Sequence, residues 1–270
     1  MDNRHTIKTG DVMLFSGNTP TGFLLRTFVS SEWNHSGIAI RFVTVPDPIN
    51  PSGFRKEISL TEEGDLYILE TNTGVRTDDI FGCDVMGAGF SRDMWVVNKY
   101  NKIAVRRLHE VFRTHELAEL TLDFANRYRG SRFPSGGLPF IGVWLGIPLS
   151  DKDPDLNEMF CSELMAHYYA YCIGPQYEKV TGIPFNGKLS TLFGSDAPKS
   201  EDMFTPGHYT CTNTPNASIF SGNEEIIYTA HADMFYVILQ PLLIILVVML
   251  AIWMTLPNNS EGCPISPSGR

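Results

Sequence analysis

The sequence lacks paired cysteines, clusters of basic residues and an apolar run at its amino terminus. Its five cysteines lie at positions 83, 161, 172, 211 and 263, with no CxxC pair and no metal-ligand spacing. Such an odd and scattered set predicts reduced thiols, without a disulfide framework or a metal centre. A net charge of −9 without a Lys/Arg cluster argues against nucleic acid as a partner. Because residues 1–10 contain no apolar run, we predict no secretory signal.

The longest apolar segment lies near the other end of the chain. Residues 234–256 contain no charged residue and would span about 34 Å as a helix, enough to cross the hydrocarbon core of a bilayer. We interpret them as a single membrane anchor. The alternative is a buried core helix, but the run has no polar face for water. The predicted domains are a globular domain over 1–212, a polar connector over 213–233, the anchor over 234–256 and a short polar tail over 257–270.

Hydrophobic periodicity predicts a mixed α+β globular domain in which strands precede the main helices. The expected strands cover residues 8–15, 32–42, 65–72 and 103–108. Residues 45–59 are expected to form an exposed loop and residues 82–89 an irregular segment, because proline and glycine are frequent there. Helices are expected over 114–128 and from Cys161 onward, and the chain after Gly174 is expected to be rich in loops.

Cys161 is the candidate nucleophile because it lies in the first turn of a predicted helix. Asp153, Asp155 and Asn157 offer capping side chains just upstream. The unpaired N–H groups and the positive dipole end of a first turn favour a thiolate. The backbone N–H groups of Cys161 and Ser162 are the expected donors to an oxyanion.

A cysteine nucleophile needs an imidazole that accepts and returns its proton. Among the seven histidines, His35 begins a predicted strand beside the small pair Ser36-Gly37, which would leave room for a substrate. His167 follows Cys161 by six residues on the same helix and points away from it. His35 is therefore the candidate base, and the alternative is a partly exposed strand histidine.

The imidazole also needs a polar group that holds its tautomer. Glu70 is the charged residue at the end of the apolar strand segment 66–69. A carboxylate there is costly to bury without a partner, and a histidine would be such a partner. The alternative is an ordinary glutamate that faces water at the end of a strand.

Three segments resemble the circularly permuted branch of the NlpC/P60 papain-like superfamily, which includes bacterial YiiX-like proteins and poxvirus relatives. They are Gly10–Phe15, Trp33–Ile38 and Phe160–Leu164. The resemblance covers roughly residues 8–210, and the hydrophobic tail and the 45–59 segment depart from it. It implies a Cys–His–carboxylate site of Cys161, His35 and Glu70 on a small antiparallel sheet packed by the cysteine helix. No cofactor is expected.

The expected function is that of a membrane-anchored cysteine hydrolase that cleaves an amide or ester bond through a thioester. A lipid, a lipid-modified molecule or a peptide is the expected substrate. The rival interpretations are a non-catalytic structural or host-interaction protein that keeps the fold, and a thiol acyltransferase. With fourteen residues after the predicted anchor, we expect tail-anchored insertion and a cytosolic catalytic domain. The poxvirus likeness adds a virion membrane as a second location.

Overall fold

The structure is a computed structural model that describes residues 4–17, 31–50, 52–92, 100–132 and 159–229. Its strands are β1 Val12–Ser16, β2 His35–Pro46, β3 Phe54–Ser59, β4 Asp65–Thr77, β5 Asp84–Arg92, β6 Lys102–Leu108 and β7 Phe220–Thr229. They form one sheet in the order β5-β4-β2-β1-β6-β7, and β3 pairs with the second half of β2. Each pair is antiparallel. The described part of the chain is thus an α+β domain with an antiparallel sheet and few helices.

The helices pack mainly on one face of this sheet. They are α1 His115–Tyr128, α2 Cys161–Tyr168, α3 Gly174–Thr181 and α4 Leu189–Phe193, with a π-helical segment at Tyr169–Ile173 and short 3₁₀ turns at Arg4–Thr6, Glu110–Phe112, Glu201–Met203 and Pro206–Tyr209. Helix α1 matches the helix predicted over 114–128, and its N-cap is Thr114, whose side chain accepts from the Leu117 N–H. Because side chains alternate along a strand, the two faces of the sheet carry separate apolar clusters.

The larger cluster joins the sheet to the helices. Leu14 and Ile38 contribute to it from β1 and β2, together with Leu164 and Met165 of α2. Met13, Phe15, Ala39 and Ile68 belong to the smaller cluster on the opposite face. Helix α2 is therefore held against β2 by apolar burial, and this contact fixes the position of Cys161 at its first turn.

The pair Gly10-Asp11 forms a buried polar junction. Gly10 has φ +90°, in the region that favours glycine. The Asp11 carboxylate is fully buried; it accepts from the Leu108 N–H at 2.8 Å and from the guanidinium groups of Arg113 at 2.6 Å and Arg107 at 3.2 Å. This pair therefore ties β1 to the end of β6.

Two segments expected to be irregular are paired strands. The segment 45–59 was expected to be a loop, but β2 runs to Pro46 and β3 pairs back on it as a hairpin. Pro46 is the last residue of β2, and Pro48 and Gly53 lie between β2 and β3, where they do not break the ladder. The segment 82–89 lies mostly in β5, where Gly87 has φ +99° and lets the backbone of Ser131 approach closely.

The cysteine helix also continues further than predicted. The π-helical segment carries α2 into α3, which ends at Thr181, so the chain after Gly174 is helical before any loop. Pro175 lies in the first turn of α3, where a missing N–H leaves no hydrogen bond unmade. Tyr169 of this segment is fully buried and Tyr171 is not, as expected for residues two positions apart on a helix.

The predicted connector over 213–233 is partly a strand of the domain. Residues 220–229 form β7, which pairs with β6, and the chain divides into units at Met1–Ala230 and His231–Arg270. The domain boundary predicted at residue 212 is therefore too early. Strand β7 is mostly exposed, so its polar residues Asn223 to Glu225 do not show the apolar pattern from which a strand is predicted. The predicted anchor over 234–256 and the tail over 257–270 lie outside the described residues. Among the residues that are described, no helix is long and apolar enough to cross a membrane.

Candidate active site

A buried histidine–carboxylate pair lies at the start of β2. Nε2 of His35 is 2.6 Å from Oε2 of Glu70, whose side chain is 1% exposed. The other oxygen, Oε1, accepts a hydrogen bond from the Ser91 hydroxyl at 2.8 Å. This pairing leaves Nδ1 as the ring nitrogen available to a further partner. Glu70 is therefore not a strand-end glutamate that faces water, and His35 is not an exposed strand histidine.

The backbone before His35 is fixed by Asn34. The Asn34 side-chain amide makes two hydrogen bonds of 3.1 Å with the backbone of Gly17, one in each direction. The Asn34 N–H also donates to the Phe15 carbonyl at 3.0 Å. These bonds join the start of β2 to the end of β1. The backbone that carries the His35 side chain is therefore fixed in position.

The residue Gly37 brings β4 close to β2 behind the imidazole. A Cβ at Gly37 would lie 2.5 Å from Cγ2 of Ile68 and 3.4 Å from Cβ of Glu70. The space beside this glycine is filled by β4. The prediction that Gly37 leaves room for a substrate is therefore wrong. Because glycine has no side chain, β2 and β4 can approach each other closely here, and Glu70 on β4 can reach His35 on β2.

The first turn of α2 presents Cys161. The carboxylate of Glu163 reaches back to accept from the Phe160 N–H at 3.1 Å, as in one half of a capping box. The Ser162 hydroxyl donates to the Phe204 carbonyl at 2.7 Å, and the Tyr209 hydroxyl donates to the Ser162 carbonyl at 2.6 Å. The N–H groups of Cys161 and Ser162 belong to the turn that has no preceding intrahelical acceptors. The helix start is thus held rigidly around the thiol.

The electrostatics of the Cys161 thiol and the His35 imidazole are coupled, and each group shifts the pKa of the other. Burial alone would raise the pKa of Cys161, but the charge and hydrogen bond of His35, together with Ser36, lower that pKa. Burial alone would lower the pKa of His35, but the Cys161 sulfur and Glu70 raise it from 6.5 to about 10. Both directions favour a thiolate–imidazolium pair.

Aromatic rings enclose this pair on the imidazole side. The ring of Tyr100 is stacked on His35, with centroids 5.7 Å apart and planes 7° from parallel. Phe15 lies 5.6 Å from the same ring at 33°. An aromatic face near an imidazolium is electrostatically favourable.

The structure thus brings together Cys161, His35 and Glu70, which the sequence singled out. The sequence did not single out Ser91 or Tyr100, whose contacts depend on strand register and on the path of the chain before β6. Residues 93–99 and 133–158, which flank these elements in the sequence, lie outside the described part. Within the described residues, no group of His, Cys, Asp and Glu side chains is arranged to hold a metal ion.

Comparisons with known proteins give a weak structural likeness. No protein-family model and no curated protein matches the chain. Among solved structures, the metalloprotein yiiX from Escherichia coli O157:H7 is similar, with 14% identity, 80% of this chain and 96% of that chain covered, and a TM-score of 0.41. A likeness at this level assigns neither a family nor an activity to the chain.

Proposed function

We propose that the protein is a cysteine hydrolase in which Cys161 is the nucleophile, His35 the acid–base group and Glu70 the residue that orients the imidazole. The supporting observation is the His35 ring itself, which is bonded to buried Glu70 through Nε2 and electrostatically coupled to the Cys161 thiol. A nucleophile, a base and an orienting group in that order form the arrangement used for acyl transfer on several unrelated folds.

The proposed reaction proceeds through a thioester. The Cys161 thiolate attacks the carbonyl carbon of an ester or amide, and the backbone N–H groups of Cys161 and Ser162 donate to the resulting oxyanion. His35 gives its Nδ1 proton to the departing alcohol or amine as the carbonyl–heteroatom bond breaks. Neutral His35 then takes a proton from water, whose oxygen attacks the thioester carbon and releases a carboxylic acid and the thiolate. No step requires a group from outside the chain except water.

The substrate proposed is a lipid or a lipid-modified molecule, with a peptide amide as the alternative. Strand β7 ends at Thr229, which pairs with Lys102, and Lys102 pairs with Ser16 next to the Phe15–His35 pair. The domain chain therefore ends at the same end of the sheet as the site. The apolar run at 234–256, predicted to be a membrane anchor, is what favours a lipid over a peptide as the proposed substrate.

The test is labelling and hydrolysis by the full chain in detergent or vesicles. Wild-type protein should react with a fluorescent acyl-thioester probe and with an ester-bearing lipid, and Cys161→Ala should lose both reactions. Cys83→Ser, which changes an exposed thiol, is the matched control and should retain both. Full turnover by Cys161→Ala would overturn the proposal. An inert Cys161 in a folded wild-type protein would favour the non-catalytic interaction protein, and transfer to an added amine or alcohol in place of water would favour the acyltransferase.

A further inference from the structure

The buried tyrosine at position 209 bonds to the residue that follows the candidate nucleophile. Its hydroxyl donates to the Ser162 carbonyl at 2.6 Å. Burial raises the pKa of Tyr209 well above its usual value, so the hydroxyl keeps its proton and remains a donor. The Ser162 carbonyl lies in the first turn of α2, where an α-helix already supplies it with an intrahelical donor. The bond from Tyr209 is therefore additional to those that form the helix.

Ser162 has a second hydrogen bond to the same part of the chain. Its hydroxyl donates to the Phe204 carbonyl at 2.7 Å. Ser162 thus gives one bond to the segment 204–209 through its side chain and receives one through its carbonyl. A residue held at both its side chain and its carbonyl cannot turn about its Cα, so the direction of its backbone N–H is fixed as well.

This segment is itself held by the sheet. The buried guanidinium of Arg106, on β6, donates to the carbonyls of Tyr209 at 3.3 Å and Thr210 at 3.1 Å. Within the segment, Nδ1 of His208 accepts from the Thr205 N–H at 2.9 Å and closes the 3₁₀ turn. The position of the Tyr209 hydroxyl is therefore set by the sheet and by this turn, independently of α2.

We propose that Tyr209 is a positioning residue that orients the Ser162 N–H toward the oxyanion formed when the Cys161 sulfur attacks a carbonyl. The inference rests on the proposed function, because this oxyanion exists only during acyl transfer. As the carbon–sulfur bond forms, the π electron pair of the carbonyl moves to its oxygen, and no proton moves at that point. Donors stabilise that oxygen best when their directions are set before the reaction. Tyr209 therefore acts on the transition state and not on the reactivity of the thiol.

The experiment compares two reactions of Cys161 in the full chain in detergent micelles. Alkylation by iodoacetamide displaces iodide at a saturated carbon and forms no oxyanion, whereas hydrolysis of p-nitrophenyl acetate forms one. Tyr209→Phe removes only the hydroxyl. Its kcat/KM for the ester, after subtraction of the rate in Cys161→Ala, should fall about 10–100-fold. Its alkylation rate at pH 7, read by peptide mass spectrometry, should equal that of the wild type.

The matched control is Tyr169→Phe. Tyr169 is also fully buried, its ring centroid lies 6.4 Å from that of Tyr209, and its hydroxyl donates to the Gly10 carbonyl at 2.7 Å. This change removes an equivalent hydrogen bond to a different carbonyl and should leave both rates unchanged. If Tyr209→Phe does not fold, Ser162→Ala removes the other bond to the segment and should show the same loss of ester hydrolysis with unchanged alkylation.

The outcomes separate this inference from the proposed function. Wild-type ester hydrolysis that Tyr209→Phe retains would overturn the role of Tyr209 and leave the hydrolase proposal intact. Equal losses of hydrolysis and alkylation would also overturn it, because the effect would then belong to the thiol. An equal loss in Tyr169→Phe would do the same, because the effect would belong to buried hydroxyls in general. A folded wild-type protein that alkylates but does not hydrolyse the ester would contradict the hydrolase proposal, and this inference with it.

Discussion

Gly37 on β2 lies so close to Ile68 on β4 that a methyl group would not fit between the strands. A Cβ there would lie 2.5 Å from the Ile68 side chain and 3.1 Å from the Leu69 carbonyl oxygen. The Ile68 methyl can rotate, but the carbonyl belongs to the ladder between β2 and β4 and cannot. The geometry of the His35–Glu70 bond thus depends on glycine at position 37, which has no side chain to separate the two strands.

We therefore expect Gly37→Ala to impair the site more than the fold. The added methyl should push β4 away from β2, lengthen the 2.6 Å contact of His35 with Glu70, and cost about 1–3 kcal/mol of unfolding free energy, as overpacking does. Urea denaturation measures the stability loss, and alkylation of Cys161 at pH 7 measures the site. Wild-type stability together with a wild-type alkylation rate would show that the close contact between these strands is not needed.

The charge of Glu70 is expected to matter separately from its hydrogen bonds. Glu70→Gln keeps a side chain of the same shape but removes the negative charge that raises the pKa of His35. The imidazolium should become less stable, and the ratio of the thiolate–imidazolium pair to the neutral pair should fall about tenfold for each unit lost from the His35 pKa. NMR titration of the His35 ring and alkylation of Cys161 measure the two effects. If both are unchanged, Glu70 acts only as a hydrogen-bond acceptor.

A pH dependence follows from the direction of the His35 shift. The pKa of His35 is raised from 6.5 to about 10 in the folded protein. Its contribution to stability is therefore fully present below pH 6.5 and is lost as the pH rises through about 10. Thermal unfolding should show a loss of stability between pH 6.5 and about pH 10 that His35→Gln lacks. The proposed hydrolysis should fall as the pH rises through about 10, since neutral His35 cannot protonate a leaving group.

Several features of the site could be predicted from local sequence signals. Cys161 follows capping residues, His35 begins an alternating strand, and Glu70 is a charge at the end of an apolar run. The contacts of Ser91 could not be predicted, because they depend on register: Gly89 is opposite Glu70, and Ser91 reaches it diagonally across β4 and β5. A sequence shows the period of a strand but not its partner's offset.

Two wrong predictions of the fold concern segments rich in proline and glycine. The frequency of these residues at 45–59 and 82–89 predicts broken strands, yet the β2–β3 hairpin and β5 contain them at turns and at close backbone approaches. The small size of Gly37 predicts room for a substrate, but β4 fills that space. In each case the sequence shows only the tendency of proline or glycine to interrupt a strand. Whether a strand forms depends on the neighbouring strand with which it pairs.

The buried Asp11 is expected to be a residue of stability rather than of the site. Its carboxylate lies between Arg113 and Arg107 and also accepts from the backbone N–H groups of Leu108 and Lys8. Asp11→Ala would remove the buried charge partner of Arg113 and Arg107 and leave them only the exposed carboxylates of Glu110 and Glu225, at a cost of about 3–5 kcal/mol. Urea denaturation should show this loss, while Cys161 in the fraction that remains folded should alkylate at the wild-type rate, because these bonds lie at the opposite end of β1 from His35. A reduced alkylation rate in fully folded protein would show instead that the Gly10-Asp11 junction controls the site.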